Sequence, residues 1–221
     1  YALASSSKGL AKSPWPMRGR NAQHTGNVAS KIGSGTSSPT PNSPGAIGPV
    51  LDAAIRRNLE KGEGKLTEAD LEKVTGIQIR EEKISNVNAL KKLKQLETLN
   101  LYDNQIGDAG DLVGAIKNLT QLKHIYILRN QIRDVSPFKE LKELNQLRSL
   151  HIYDNQIDNV SPLKELKQLE SMNLCDNQIK DVSDLKMLNK LRILYLRDNQ
   201  IGDIRVFSEL LRLERLYLSS N

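Results

Sequence analysis

The chain of 221 residues holds one cysteine, one tryptophan and two phenylalanines, and aromatic residues make up only 4% of it. A single cysteine, Cys175, excludes an internal disulfide framework and a zinc site built on several thiolates. The shortage of large rings predicts a core assembled from aliphatic side chains. No apolar run approaches the roughly 20 residues that a membrane-crossing helix needs, so no spanning segment is expected within these residues. Catalytic signatures are equally scarce. There is no His-Glu-x-x-His pair and no nucleophile elbow, and Gly33-Ser34-Gly35 and Gly107–Gly110 lack the context and spacing of a phosphate loop. The nearest histidine in register to Cys175 is His151, in an adjacent column, too far for a thiolate pair. No catalytic residue, no metal-ligand set and no cofactor are expected, and the chain is read as not an enzyme.

Acidic residues are missing from one part of the chain. The net charge is +6, yet residues 1–49 carry Lys8, Lys12, Arg18, Arg20 and Lys31 with no Asp or Glu, and the remainder holds 27 basic against 26 acidic side chains. Nucleic-acid binding calls for a clustered basic face rather than a basic stretch beside a balanced body, so no nucleic-acid partner is expected. Gly, Pro and Ser account for 22 of the first 49 residues, including six of the eight prolines. Such a segment buries too little apolar surface to offset its ordering entropy, which predicts a disordered Gly/Pro/Ser-rich basic tail over 1–45. The chain does not open with Met, and Ala2-Leu3-Ala4 resembles the end of a secretory signal, which favours export to periplasm or cell surface over the cytoplasm. Within the tail, Ser13-Pro14-Trp15-Pro16-Met17-Arg18-Gly19-Arg20-Asn21-Ala22-Gln23-His24-Thr25-Gly26 resembles the opening of bacterial quinoprotein β-propellers. No blade repeat follows, so no quinone site is implied.

The dominant signal is repetition. From Val74 the phrase L-x-x-L-x-L-x-x-N-x-I recurs, with copies starting at Leu96, Leu122, Leu147, Leu169, Leu191 and Leu213. The first copy, from Val74, is degenerate and has Glu82 where Asn belongs. Start-to-start spacings are 22, 26, 25, 22, 22 and 22 residues. The L-x-L core reads as a short strand with alternate side chains pointing inward. One unit cannot bury its aliphatics alone, whereas stacked units share a continuous core. Asn104, Asn130, Asn155, Asn177, Asn199 and Asn221 fall where the chain leaves the strand. A side-chain amide donates and accepts at once, so these residues are expected to satisfy buried backbone groups of the turn as a structural ladder.

Residues 74–221 resemble leucine-rich repeats. The segments Asp134-Val135-Ser136-Pro137-Phe138 and Asn159-Val160-Ser161-Pro162-Leu163 are similar to those of bacterial internalins and of the leucine-rich regulatory subunit of type-one protein phosphatase. The resemblance implies an α/β solenoid, a horseshoe arc with a parallel sheet on its concave side and short 3₁₀ or α segments on its convex side. Two longer spacings add to this. Leu112, Ile116 and Leu119 share one helical face, predicting a true α-helix on the return path. Lys139-Glu140-Leu141-Lys142-Glu143-Leu144 reads as a three-residue duplication worth about one helical turn.

Residues 46–73 read as a helical amino-terminal cap. Leu51, Ile55 and Leu59 share a face with Ala54 beside it, and Pro49 sits near the first turn where proline is tolerated. A second helix is expected from Thr67, with Thr67 as N-cap and acidic residues at the positive helix end. No matching cap follows Asn221, so further chain or a covering partner is expected there.

Function is expected on the outward strand positions. Five of the six tyrosines fall there: Tyr102, Tyr126, Tyr153, Tyr195 and Tyr217. Together with His124, Leu128, His151 and Arg197 they form the candidate contact set for a protein partner, because Tyr, Arg and exposed apolar groups are what interfaces favour. Strand propensity explains aromatics on strands but not nearly all tyrosines on one face. The alternatives are a regulatory or targeting subunit of a phosphatase or other enzyme, or the recognition arm of a larger exported protein. Asp154, Asp176 and Asp198 are expected to form a row at the strand ends, either solvated with Arg129 offsetting its neighbours or balanced by a cation. Oligomeric state is left open.

Overall fold

A computed structural model describes residues 47–84 and 86–221. The tail expected over 1–45, the Trp15-bearing phrase and Ala2-Leu3-Ala4 lie outside the described residues. Each L-x-L core forms a strand: β1 Gly76–Arg80, β2 Thr98–Tyr102, β3 His124–Tyr126, β4 Ser149–His151, β5 Ser171–Asn173, β6 Ile193–Tyr195 and β7 Arg215–Tyr217. They pair in parallel, in chain order, as one open seven-stranded sheet. The register places Ile77, Leu99, Ile125, Leu150, Met172, Leu194 and Leu216 in a single file. All of these except half-buried Leu216 are buried. The degenerate first copy keeps this register, so its aliphatics suffice to make a coil even without the Asn.

The asparagines work between coils as well as within one. Asn130 Nδ2 donates to the Leu101 carbonyl of the preceding coil at 2.8 Å and to Leu128 O at 2.9 Å, while its Oδ1 accepts the Ile106 N–H at 3.1 Å. Asn155 does the same with Ile127 O (2.9 Å) and Ile132 N (3.1 Å), and Asn177 with Ile152 O (3.1 Å) and Ile157 N (3.0 Å). Asn104, Asn199 and Asn221 repeat the pattern with Ile79, Leu174 and Leu196 as carbonyl acceptors. Each amide thereby satisfies peptide groups that the turn withdraws from water.

The return paths differ in length, and their structure follows. The shorter coils return through five-residue 3₁₀ helices, Asn88–Lys92, Ser161–Glu165, Ser183–Met187 and Arg205–Glu209. Ser136–Glu143 is eight residues long, and three extra residues make one 3₁₀ turn. The longest spacing accommodates an α-helix, α3 (Ala109–Ile116), which buries Leu112 and Ile116. Side chains start these segments. Asp108, Asp134, Asn159, Asp181 and Asp203 each accept, through Oδ1, the N–H two residues on, at 2.6, 2.8, 2.9, 2.8 and 3.0 Å. This Asx turn supplies the partner that the first free N–H of a helix lacks.

Two helices precede β1. The α1 helix (Pro49–Leu59) buries Leu51, Ala54 and Ile55, starts with Pro49 and packs against β1. The four-residue α2 (Glu68–Leu71) carries a capping box in which Thr67 Oγ1 accepts the Asp70 N–H and the Asp70 carboxylate accepts the Thr67 N–H. Lys61, 2.6 Å from Asp70, together with these Thr67 bonds holds that carboxyl well below the usual carboxylate range.

The candidate binding face

With the inward file committed to the core, the alternate strand positions lie on the opposite face of the sheet. Three columns result. One runs Gly76, Thr98, His124, Ser149, Ser171, Ile193 and Arg215, and the next Gln78, Asn100, Tyr126, His151, Asn173, Tyr195 and Tyr217. The third, continuing beyond the short strands, takes in Arg80, Tyr102, Leu128, Tyr153, Cys175, Arg197 and Ser219. The five tyrosines all lie in these columns: Tyr102, Tyr126, Tyr153 and Tyr195 are half-buried, and Tyr217 is 39% exposed.

The rings are not equivalent. Tyr102 is braced from both sides, with the Arg80 guanidinium 4.6 Å and the Arg129 guanidinium 5.5 Å from its ring centre. Arg129 Nη1 also donates to the Tyr102 hydroxyl at 2.7 Å, and its Nε reaches Asp154 at 3.2 Å. Tyr126 sits between two histidines. His151 meets it edge-on at 5.0 Å between ring centres, and His124 lies 6.4 Å away at 20°. Tyr195 and Tyr217 stack at 4.5 Å with their planes 5° apart.

Burial shapes the proton affinities here. Burial, and then the neighbouring His124, push the His151 imidazole down to about 4. Burial and Lys123 lower His124, with Glu97 opposing them. Burial raises the phenols of Tyr126, Tyr153 and Tyr195. His151 Nε2 lies 3.3 Å from Ser171 Oγ, the distance of a nucleophile and its base. The charge acting on this imidazole is that of His124 and not of a carboxylate, so nothing raises its basicity for proton abstraction. Cys175 is buried, and burial moves its thiol up to about 11, away from thiolate chemistry.

Leu128 departs from expectation. It occupies its column position but only 6% of it is exposed, so it fills the floor between the coils of Tyr102 and Tyr153 rather than offering apolar surface. His124, His151 and Arg197 are half-buried at the expected positions.

The aspartate row has a backbone explanation that its charge pattern hides. Asp103, Arg129, Asp154, Asp176 and Asp198 all adopt left-handed backbone, with φ of 55, 49, 57, 53 and 55°. Their N–H groups continue the sheet ladder, as from Asp103 to Leu128 O (2.8 Å) and from Asp176 to Arg197 O (2.9 Å). Asp tolerates this conformation because its short polar side chain bonds locally. Four Asp at one register position was the available signal, read in sequence as charge alone. Among the described residues no group of three or more His, Cys, Asp or Glu is placed to hold a metal ion. No helix among them is long and apolar enough to cross a membrane.

Comparison with known proteins follows the same repeats. The family described as "Leucine Rich repeats (2 copies)" matches residues 94–140 and 120–165, and "Leucine rich repeat" matches 145–201 and 167–221. No curated protein matches the chain. Among solved structures, internalin C2 from Listeria monocytogenes str. 4b F2365 is similar at 27% identity, over 77% of this chain and 93% of that one, with a TM-score of 0.48. An internalin (inlF) from the same organism is similar at 24% identity, over 78% of this chain and 69% of that one, with a TM-score of 0.43. The matched segments run without a gap from residue 94 to 221, more than half of the chain, and the chain belongs to the leucine-rich repeat family, a family of protein-interaction modules.

Proposed function

We propose that the concave face binds another protein, anchored on Tyr126, Tyr153, Tyr195 and Tyr217, with His124, His151 and Arg197 between the anchors. The observation that carries this reading is the gathering of five of six tyrosines on one face of a chain with 4% aromatics. Half-buried tyrosines give large contact area at low entropic cost, since few torsions remain to be fixed. Tyr102, already held by Arg80 and Arg129, serves as a rigid part of the wall. The test replaces Tyr126, Tyr153 and Tyr195 together by Ala and compares partner capture by the two purified chains, after circular dichroism shows both folded. Loss of specifically captured proteins is expected. An unchanged set of captured proteins removes the reading.

A further inference from the structure

The outward columns hold charge of one sign only. The chain has 26 Asp and Glu, but none lies at an outward position of the seven coils, whereas Arg80, Arg197 and Arg215 do. The acidic residues near the sheet stand on its two rims. On one rim they are answered by a neighbouring coil, with Glu97–Lys123 at 2.9 Å, Arg148–Glu170 at 3.2 Å and Arg192–Glu214 at 2.7 Å. On the other, Arg129 meets Asp154 at 3.2 Å and Asp103 at 3.9 Å.

The three arginines differ in what occupies them. Arg80 is ion-paired to Glu81 at 2.8 Å and lies on the Tyr102 ring. Arg197 is half-buried, and its Nε is a buried donor with no hydrogen-bond acceptor. Arg215 is exposed. Register sets these last two diagonally about the Tyr195–Tyr217 stack, Arg215 one column to one side and Arg197 one column to the other. A carboxylate is the group whose geometry matches a guanidinium.

Resting on the reading that the concave face is the binding face, we propose that its β6–β7 end receives an acidic segment of the protein partner, with carboxylates meeting Arg197 and Arg215 across the tyrosine stack. A nucleic-acid strand suits the site less well. Its continuous phosphates would have to pass the Asp176 and Asp198 turns that border Arg197, whereas separate carboxylates can be placed on the arginines alone.

The test uses the full chain and four probes: acetylated hexaglutamate, hexaglutamine, hexalysine and an oligothymidylate of eight nucleotides. The basic stretch over 1–49 also attracts polyanions, so the readout is local, the ring resonances of Tyr195 and Tyr217. Hexaglutamate is expected to shift both, with an apparent Kd that weakens with added salt, while hexaglutamine and hexalysine leave them in place. Arg197→Gln with Arg215→Gln is expected to weaken that Kd about tenfold, and the paired Lys variants to retain part of it. Rings that ignore hexaglutamate, or that shift as much in the double Gln variant, overturn the proposal. So does tighter binding of the oligothymidylate. If hexalysine shifts the rings instead, the charge assignment fails while the binding face stands. If no probe moves any of the five concave tyrosines and the triple Ala chain still captures its partners, both fail.

Discussion

Arg129 donates a 2.7 Å hydrogen bond to the hydroxyl of Tyr102, a residue of the preceding coil, and its guanidinium lies over the same ring. The contact ties β2 to the coil of β3 on the solvent side of the sheet, where the hydrophobic core contributes nothing. The same side chain reaches Asp154 in the following coil, so one arginine spans three coils. Replacing Arg129 by Met is expected to lower unfolding free energy by about 1 kcal/mol or less, since the group is exposed. The Tyr102 ring resonances should move in the same variant. Unchanged ring shifts would show that Arg129 does not brace it.

The asparagine ladder should be much more sensitive. Asn155→Ala removes the donor to Ile127 O and the acceptor of Ile132 N, leaving buried peptide groups of the preceding coil unpaired. A loss of about 2–4 kcal/mol is expected, read as a lower urea midpoint. Asn221→Ala should cost less, because that residue is itself exposed.

The left-handed row can be separated from its charge. Asp198→Ala is expected to lose about 1 kcal/mol, because an alanine Cβ is strained at a φ of 55°, while Asp198→Gly should be near neutral. If both variants lose the same stability, the aspartate is there for its carboxylate and not for its backbone.

Acid should weaken the fold in two stages. The folded chain holds His151 neutral, with its imidazole pushed down from 6.5 to about 4, and His124 is lowered as well. The unfolded chain takes up these protons first, so stability falls as pH drops from about 6.5 toward 4. Below that, Asp134, Asp184 and Asp203, held low by hydrogen bonds from Ser136, Ser161 and Arg205, become protonated and remove a second share. Urea midpoints between pH 7.5 and 4.5 should fall for the parent chain and fall less for His151→Asn.

Cys175 offers a simple probe of the floor. With its thiol buried and raised to about 11, it should react slowly with an aromatic disulfide reagent at pH 8 and rapidly in urea. Fast reaction of the native chain would place the sulfur at the surface instead.

Much of this architecture is legible in the sequence because one physical need repeats. Aliphatics at Leu99, Ile125, Leu150 and Leu194 must all face inward, and the spacing between copies sets the return path, so the α-helix after Asp108 and the added 3₁₀ turn after Val135 could be read from length and periodicity. Contacts made between coils were not legible. Sequence places Asn130 at a turn but does not say that its partners, Leu101 and Ile106, belong to the coil before. It places Leu128 on the outward face without revealing that its surroundings cover it. It aligns Tyr102 with the other tyrosines, yet the guanidiniums of Arg80 and Arg129 set that ring apart.

Every asparagine of the ladder reaches toward the amino-terminal neighbour: Asn104 to Ile79, Asn155 to Ile127, Asn199 to Leu174. The stack therefore has a direction. As the polypeptide leaves the ribosome, a finished loop keeps unsealed amides until its successor emerges and stitches them, so assembly can ratchet forward one turn at a time in the order of synthesis.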